Sequence, residues 1–350
     1  MDKARVAVLG ASGYSGAELV RLLATHPRVQ LAALGAESSA GKAMDELYPA
    51  LRGKELPPLE KLDPKDLKGR AELAFLALPH TESMKAVPPL LEAGLKVIDL
   101  SGDFRLQDPV AYERYYKQPH SAQQLLSEAV YGLCEVNGAK LRGARLVANP
   151  GCYTTTTILA LYPLLKAGLV KPRGIVVDAK SGVSGAGRKL AHLYQFVEVE
   201  GNFSAYKVGG VHQHIPEMEQ WLGQAAGAKV SLSFTPHLLP LNRGIFATCY
   251  GDLAREEISE AELQDALASF YAGRPFVRVL KGSALPSLRA VQGTNLCEIA
   301  VRLDAGAGKA VVLSATDNLL KGAAGQAVQN MNLMYGWPET DGLGLSALAV

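Results

Sequence analysis

The chain lacks any uninterrupted apolar run of about 18 residues, the length a membrane-spanning helix needs. It lacks an excess of either charge: 36 basic against 34 acidic residues leave a formal net charge of +2. That balance gives no electrostatic footprint for nucleic acid or an anionic membrane, so neither is expected as a partner. Cysteine is scarce, with only Cys134, Cys152, Cys249 and Cys297, all far apart. No C-x-x-C pair occurs, which argues against a disulfide framework and a zinc site, and no metal is expected. The opening residues MDKARVAVLG carry no signal-like apolar region, and a cytoplasmic protein is expected.

What is present is an ordinary globular composition, 48% hydrophobic over 350 residues, a length that favours two domains. Short apolar runs at 5–10, 29–35, 71–79, 95–101 and 144–148 alternate with helical patterns at the spacing of βαβ units. Between the first two, Leu19, Val20, Leu22 and Leu23 oppose Glu18 and Arg21 in an amphipathic helix that stops before Pro27. Residues 1–151 therefore read as a Rossmann-type, doubly wound parallel sheet that binds a dinucleotide. A helical pattern within 318–350 is expected to complete it.

The rhythm changes at Cys152. A helix at 153–167 and another from about 259 accompany strands at 174–180, 229–239, 244–253, 295–303 and 309–315. The 240–243 turn between two long strands suggests a mixed or antiparallel sheet. Residues 152–317 read as an α+β domain for catalysis and oligomerisation, giving an α/β chain overall.

Gly10-Ala-Ser-Gly-Tyr-Ser-Gly16 follows the first strand and opens the first helix. Gly10, Gly13 and Gly16 permit a tight turn and close approach of backbone N–H groups to a pyrophosphate; Ser12, Tyr14 and Ser15 lie in the same loop. Ser12 and Ser15 offer hydroxyls to phosphate oxygens. At the end of the second strand Ser38, Ser39 and Lys42 suit a 2′-phosphate, whereas Glu37 would repel one and bond a free 2′-hydroxyl.

Asn149-Pro-Gly-Cys152-Tyr-Thr-Thr-Thr-Thr157 lies between a strand and an apolar helix. A cysteine at a helix N-terminus meets unpaired N–H groups and the positive end of the macrodipole, which favour the thiolate and can hold an oxyanion. The following threonines offer capping oxygens. Cys249 and Cys297 fall inside strand-like runs and read as core residues. A nucleophile needs a base, and among seven histidines His212 and His214 stand out, paired in a Gly-flanked segment before a helix. Either could serve; their spacing would also allow a metal pair, but no third ligand is evident.

Taken together, GASGYSG (10–16), LALPH (76–80), VIDLSGDFRL (97–106), ANPGCYTTT (148–156), KSGVSGAGR (180–188), HQHIPE (212–217), PHLLPLNRG (236–244) and DNLLKGAAGQAVQN (317–330) closely resemble the N-acetyl-γ-glutamyl-phosphate reductases, of the aspartate-semialdehyde dehydrogenase group. The resemblance spans essentially the whole chain. It implies an NADP(H)-dependent reductase of a small acyl phosphate that releases phosphate and a semialdehyde in arginine biosynthesis, acting as a homodimer or homotetramer. It further implies Cys152 as nucleophile and a histidine from the His212/His214 segment as acid–base. Arg105 and Asn149 are implied at the substrate, with Arg188 and Arg243 for its carboxylate. Pro79, Ser184, Gly185 and Asn318 are implied at the cofactor. Many relatives have arginine at the position of Glu37. The rival readings are a reductase of aspartyl phosphate or of a carrier-bound aminoadipyl phosphate and, in another class, a non-catalytic NADP-binding regulator.

Overall fold

The computed structural model describes residues 3–188 and 191–347. They form two compact units, residues 3–151 with 323–344, and residues 152–188 and 191–322 with 345–347. The 318–350 segment is thus divided: 318–322 lie in the second unit, the last helix, Gly325–Tyr335, lies in the first, and 348–350 fall outside the described residues.

The first unit is built on β1 (Ala4–Leu9), β2 (Val29–Gly35), β3 (Leu59–Glu60), β4 (Leu73–Leu76), β5 (Lys96–Asp99), β6 (Val130–Tyr131) and β7 (Leu146–Ala148). They are ordered β3-β2-β1-β4-β5-β7-β6, and every pairing is parallel. Helices α1 (Tyr14–Leu23), α2 (Ser83–Glu92), α3 (Pro109–Tyr116) and α4 (Cys134–Leu141) connect or flank the strands. Val6, Val8, Phe75 and Ile98 are fully buried, as expected of parallel strands covered on both faces. The strand order reverses between β1 and β4, the switch point at which such sheets bind ligands beyond their carboxyl ends.

The second unit opens with α5 (Cys152–Lys166) and holds β8 (Ile175–Gly182), β9 (Ser204–Ala205), β10 (Leu232–Leu239), β11 (Ile245–Asp252), β12 (Val277–Val279), β13 (Cys297–Asp304) and β14 (Lys309–Thr316). The order is β12-β13-β14-β11-β8-β10-β9 and the sheet is mixed. Helices α6 (Ile215–Ala226) and α7 (Glu260–Phe270) belong to the same unit; Ser259 caps α7 by accepting from the Glu262 N–H. β10 and β11 are separated by a short turn but do not pair with each other. β8 lies between them, parallel to β10 and antiparallel to β11. The turn is held open because Val183 and Ser184 donate their N–H groups to the Leu241 and Asn242 carbonyls. Among the described residues, no helix is long and apolar enough to cross a membrane.

Candidate active site

In the first unit the glycine loop leaves β1 through Gly10 at φ +83 and enters α1 through Gly13. A Cβ on Gly16 would strike the Gly10 carbonyl, so the turn can close this tightly only around glycine. Gly13 caps α1 without a side-chain bond, and the first turn carries no acidic residue. Its N–H groups therefore keep the character of an anion site, and the loop fits a dinucleotide pyrophosphate. The Tyr48 hydroxyl donates to the Ser12 carbonyl at 2.8 Å and braces the loop from 36 residues away. Tyr14 and Pro79 are exposed, while Ser12 and Ser15 are half-buried. Beyond β2, Glu37 and Ser38 are exposed and Ser39 is buried, in a loop tied down by the Gly41 N–H on the Leu59 carbonyl.

Arg105 is buried, and its Nε and Nη2 donate to the carbonyls of Asn149 (2.7 Å) and Leu100 (2.6 Å). The Asn149 side chain is fully buried; its Nδ2 donates to the Ala323 carbonyl and its Oδ1 accepts from Asn330. Asn149 thus braces the last helix through its side chain and Arg105 through its backbone. The loop bearing Arg105 is fixed by Asp103, whose carboxylate accepts from the N–H groups of Thr81 and Met84 and the Tyr112 hydroxyl. Burial, and then the like charge of Asp103, push the Asp99 carboxyl up. Tyr48 lies outside the quoted motifs and Asp103 lies within the 97–106 motif without a role of its own there, because both act through contacts remote in sequence.

In the second unit Cys152 is the first residue of α5 and is half-buried, whereas Cys249 and Cys297 are fully buried. The neighbouring Tyr153 ring packs edge-on against His212, at 5.8 Å between centroids, and near His214 at 6.1 Å. Both histidines are buried just ahead of α6. His212 Nδ1 accepts the His214 backbone N–H at 3.1 Å. Burial, with the Lys207 cation adding to it, pulls the His212 pKa down to about 3. Among the described residues no third ligand turns the pair into a metal site. Tyr206 donates its hydroxyl to that of Tyr153 at 3.1 Å, and burial raises the pKa of both phenols, with the charge of Cys152 a smaller cause. The threonines after Cys152 are buried; Thr156 bonds the Cys152 carbonyl and Thr316. Their hydroxyls therefore face the interior.

Residues 317–322 meet the same region. A Cβ on Gly322 would lie 2.8 Å from the Cβ of Cys152. Asn318 accepts from the Gly244 N–H at 2.7 Å and donates to Ser184 Oγ at 2.9 Å, so it braces the loop containing Ser184 and Gly185. Arg243 is partly exposed and ion-paired to the buried Asp317 at 3.1 Å. Arg188 is exposed. Tyr206 carried no local signal in the sequence, and Asp317 opens the 317–330 block, in which only Asn318 was assigned a role.

A parallel, dinucleotide-type sheet followed by a unit that opens on a helix-start cysteine marks a nicotinamide-linked dehydrogenase. The chain belongs to the semialdehyde dehydrogenase family, and so is an oxidoreductase: the model for "Semialdehyde dehydrogenase, NAD binding domain" matches residues 5–144 and that for "Semialdehyde dehydrogenase, dimerisation domain" matches 152–318. It is 52% identical over 340 residues, 97% of each chain, to the N-acetyl-gamma-glutamyl-phosphate reductase of Geobacter metallireducens. It is 51% identical over 348 residues, 99% of each, to that of Geobacter sulfurreducens. In fold it is similar to aspartate semialdehyde dehydrogenase II of Vibrio cholerae, with TM-score 0.72 and 21% identity over 95% of this chain and 98% of that one. A Candida albicans aspartate semialdehyde dehydrogenase with NADP gives TM-score 0.68 and 17% identity over 95% and 98%.

Proposed function

We propose that this chain reduces N-acetyl-glutamyl 5-phosphate to N-acetyl-glutamate 5-semialdehyde and phosphate with NADPH, through a thioester on Cys152. The observation that carries the reading is the accessible Cys152 at the start of α5, beside a tyrosine packed on two buried imidazoles. The names of the relatives supply the substrate. Ser38, Ser39 and Lys42 support NADP, against Glu37.

The Cys152 thiolate attacks the acyl carbonyl, forming a C–S bond; the C–O bond to phosphate breaks, and phosphate leaves with the electron pair. A nicotinamide cofactor held by the glycine loop would supply the hydride that reduces the thioester. The resulting thiohemiacetal oxyanion is held by N–H groups at the start of α5 and by a hydrogen bond from the histidine pair, and its own electron pair drives the collapse. C–S cleavage then returns the thiolate and releases the aldehyde. Arg105 takes the phosphate and Arg243 the free carboxylate, since a guanidinium fork matches either anion. Arg188 is a further carboxylate candidate, and Asn149 supports the Arg105 subsite. The cofactor-side residues are Gly10, Ser12, Gly13, Tyr14, Ser15, Gly16, Ser38, Ser39, Pro79, Ser184, Gly185 and Asn318. We assign the enzyme to the cytoplasm, because no disulfide joins its cysteines, and to a homodimer or homotetramer, because its second unit matches a dimerisation-domain model.

The test is phosphate-dependent oxidation of N-acetylglutamate semialdehyde with NADP, with NAD and aspartate semialdehyde run in parallel. Faster turnover of aspartate semialdehyde would overturn the substrate, and tighter binding of NAD than NADP would overturn the cofactor. Light scattering of the same preparation gives the subunit count.

A further inference from the structure

Asp317 directly follows β14, the last long strand of the second unit, and its side chain is fully buried. A buried carboxylate is costly unless it is paired and hydrogen-bonded. Here it is surrounded by donors. Oδ1 accepts from the N–H groups of Leu319 (2.8 Å) and Leu320 (3.1 Å), and Oδ2 accepts from the Gly293 N–H (2.8 Å). The remaining approach is filled by Arg243, with Nε 3.1 Å from Oδ2 and Nη2 3.2 Å from Oδ1. This is a two-pronged pairing, and it fixes the plane of the guanidinium. The backbone of Arg243 is fixed independently, its carbonyl accepting from Gln292 Nε2 at 2.6 Å and the next N–H, of Gly244, donating to Asn318.

The carbonyl of Asp317 has a second task. It accepts the Gly322 N–H at 2.9 Å, within the turn that presses Gly322 against Cys152. The backbone of Asp317 thus supports the nucleophile's surroundings while its side chain aims Arg243. The carboxylate's bidentate grip on a partly exposed arginine serves a group that must present its cation in one orientation.

We propose that Asp317 is a positioning residue for substrate recognition: its carboxylate holds the Arg243 guanidinium in the plane in which it receives the substrate's non-reacting carboxylate. The inference rests on the acyl-phosphate reductase reading above and names the part of that site which sets substrate affinity. Arg243 engages Asp317 through its Nε–Nη2 edge. Neutralising Asp317 frees the guanidinium to rotate without removing the cation. Substrate affinity should then fall while cofactor affinity stays.

The experiment compares the unaltered enzyme with Asp317→Asn, Asp317→Ser, Arg243→Ala and the double variant Asp317→Asn/Arg243→Ala. Serine retains an oxygen that can cap Leu319 and Leu320 but cannot reach the guanidinium, so it decides the matter if the asparagine variant does not fold. Asp317→Asn or Asp317→Ser should raise the KM for N-acetylglutamate semialdehyde about tenfold and leave the KM for NADP unchanged. In the Arg243→Ala background the same change should cost nothing further in kcat/KM, because a residue acting through Arg243 has nothing left to act on. A lowered melting temperature with unchanged semialdehyde KM, or effects of the two single changes that multiply, would overturn the proposal. Protection of Cys152 from iodoacetamide by N-acetylglutamate gives a readout that needs no turnover. Failure of the unaltered enzyme to oxidise the semialdehyde would count against the assigned reaction alone. Equal protection in the unaltered enzyme and the Asp317 variants would count against Asp317.

Discussion

The Nδ1 atom of His212 accepts the backbone N–H of His214 at 3.1 Å, which places the proton of the neutral ring on Nε2. Burial keeps that ring neutral, with a pKa pulled down to about 3. His212 is therefore equipped as a fixed donor. His212→Ala should lower kcat by roughly 100- to 1000-fold, as loss of one oxyanion donor does. His212→Gln, whose amide N–H stands near the lost Nε2–H, should recover part of it. The acid limb of the pH–rate profile should keep its position in His212→Gln, and its disappearance there would make His212 the titrating group instead.

The same burial makes stability pH-dependent. The folded-state pKa of His212 lies below the ordinary value of 6.5, so the unfolded chain takes up a proton that the folded chain refuses. Stability is fully present above about pH 6.5 and is lost as pH falls toward 3. His26 and His120, lowered chiefly by burial, act in the same direction. The melting temperature should fall from pH 7 to pH 5, and the fall should be shallower in His212→Gln. An identical slope in both proteins would show that His212 titrates normally.

Chemical reactivity should separate the cysteines. Cys249 is fully buried and its thiol is pushed up to about 12, so it has almost no thiolate at neutral pH. Cys152 is half-buried at a helix start. Iodoacetamide at neutral pH should label Cys152 first, as read by peptide mass spectrometry, and Cys152→Ser should bind cofactor without turning over. Preferential labelling of Cys249 or Cys297 would contradict the assignment.

What was legible in the sequence was local. The glycine loop and the Cys152 junction each combine a strand, a short loop and a helix within some twenty residues, so their chemistry can be read from adjacency. The two-residue strands β3 and β6 carry too few side chains to show a period. The place of β8 between β10 and β11 is a matter of long-range pairing, and a short turn between two strands looks the same whether or not they pair. Asp317 and Arg243 are 74 residues apart, and nothing near either one announces the other. Arg105 was legible as an anion-binding candidate through the resemblance of its VIDLSGDFRL block, but its carbonyl partners were not.

Gly322 should be intolerant of a methyl group. An added Cβ would stand 2.8 Å from the Cys152 Cβ and 3.2 Å from its Cα, both atoms of the proposed nucleophile. The turn at Leu320–Ala324 is π-type, a geometry often found at functional sites. Gly322→Ala should reduce kcat by about tenfold or more, through displacement of the nucleophile, while the KM for NADP changes little. Unaltered kcat would mean that the turn yields without moving Cys152.

Arg105 offers the sharpest division between site and scaffold. Its Nε and Nη2 already donate to two carbonyls, so part of the guanidinium is structural. Lysine keeps the charge but cannot reproduce both bonds, and a buried carbonyl left without its charged donor costs about 1–3 kcal/mol. Arg105→Lys should therefore lower the melting temperature whatever else the residue does. If the same fork also receives the substrate phosphate, the KM for phosphate should rise roughly tenfold to a hundredfold in the folded enzyme, with the KM for NADP unchanged. Both quantities are measured on one preparation, with the active fraction set by titrating Cys152. A lowered melting temperature with an unaltered phosphate KM would leave Arg105 as a brace for the Asn149 backbone and return the phosphate site to other donors.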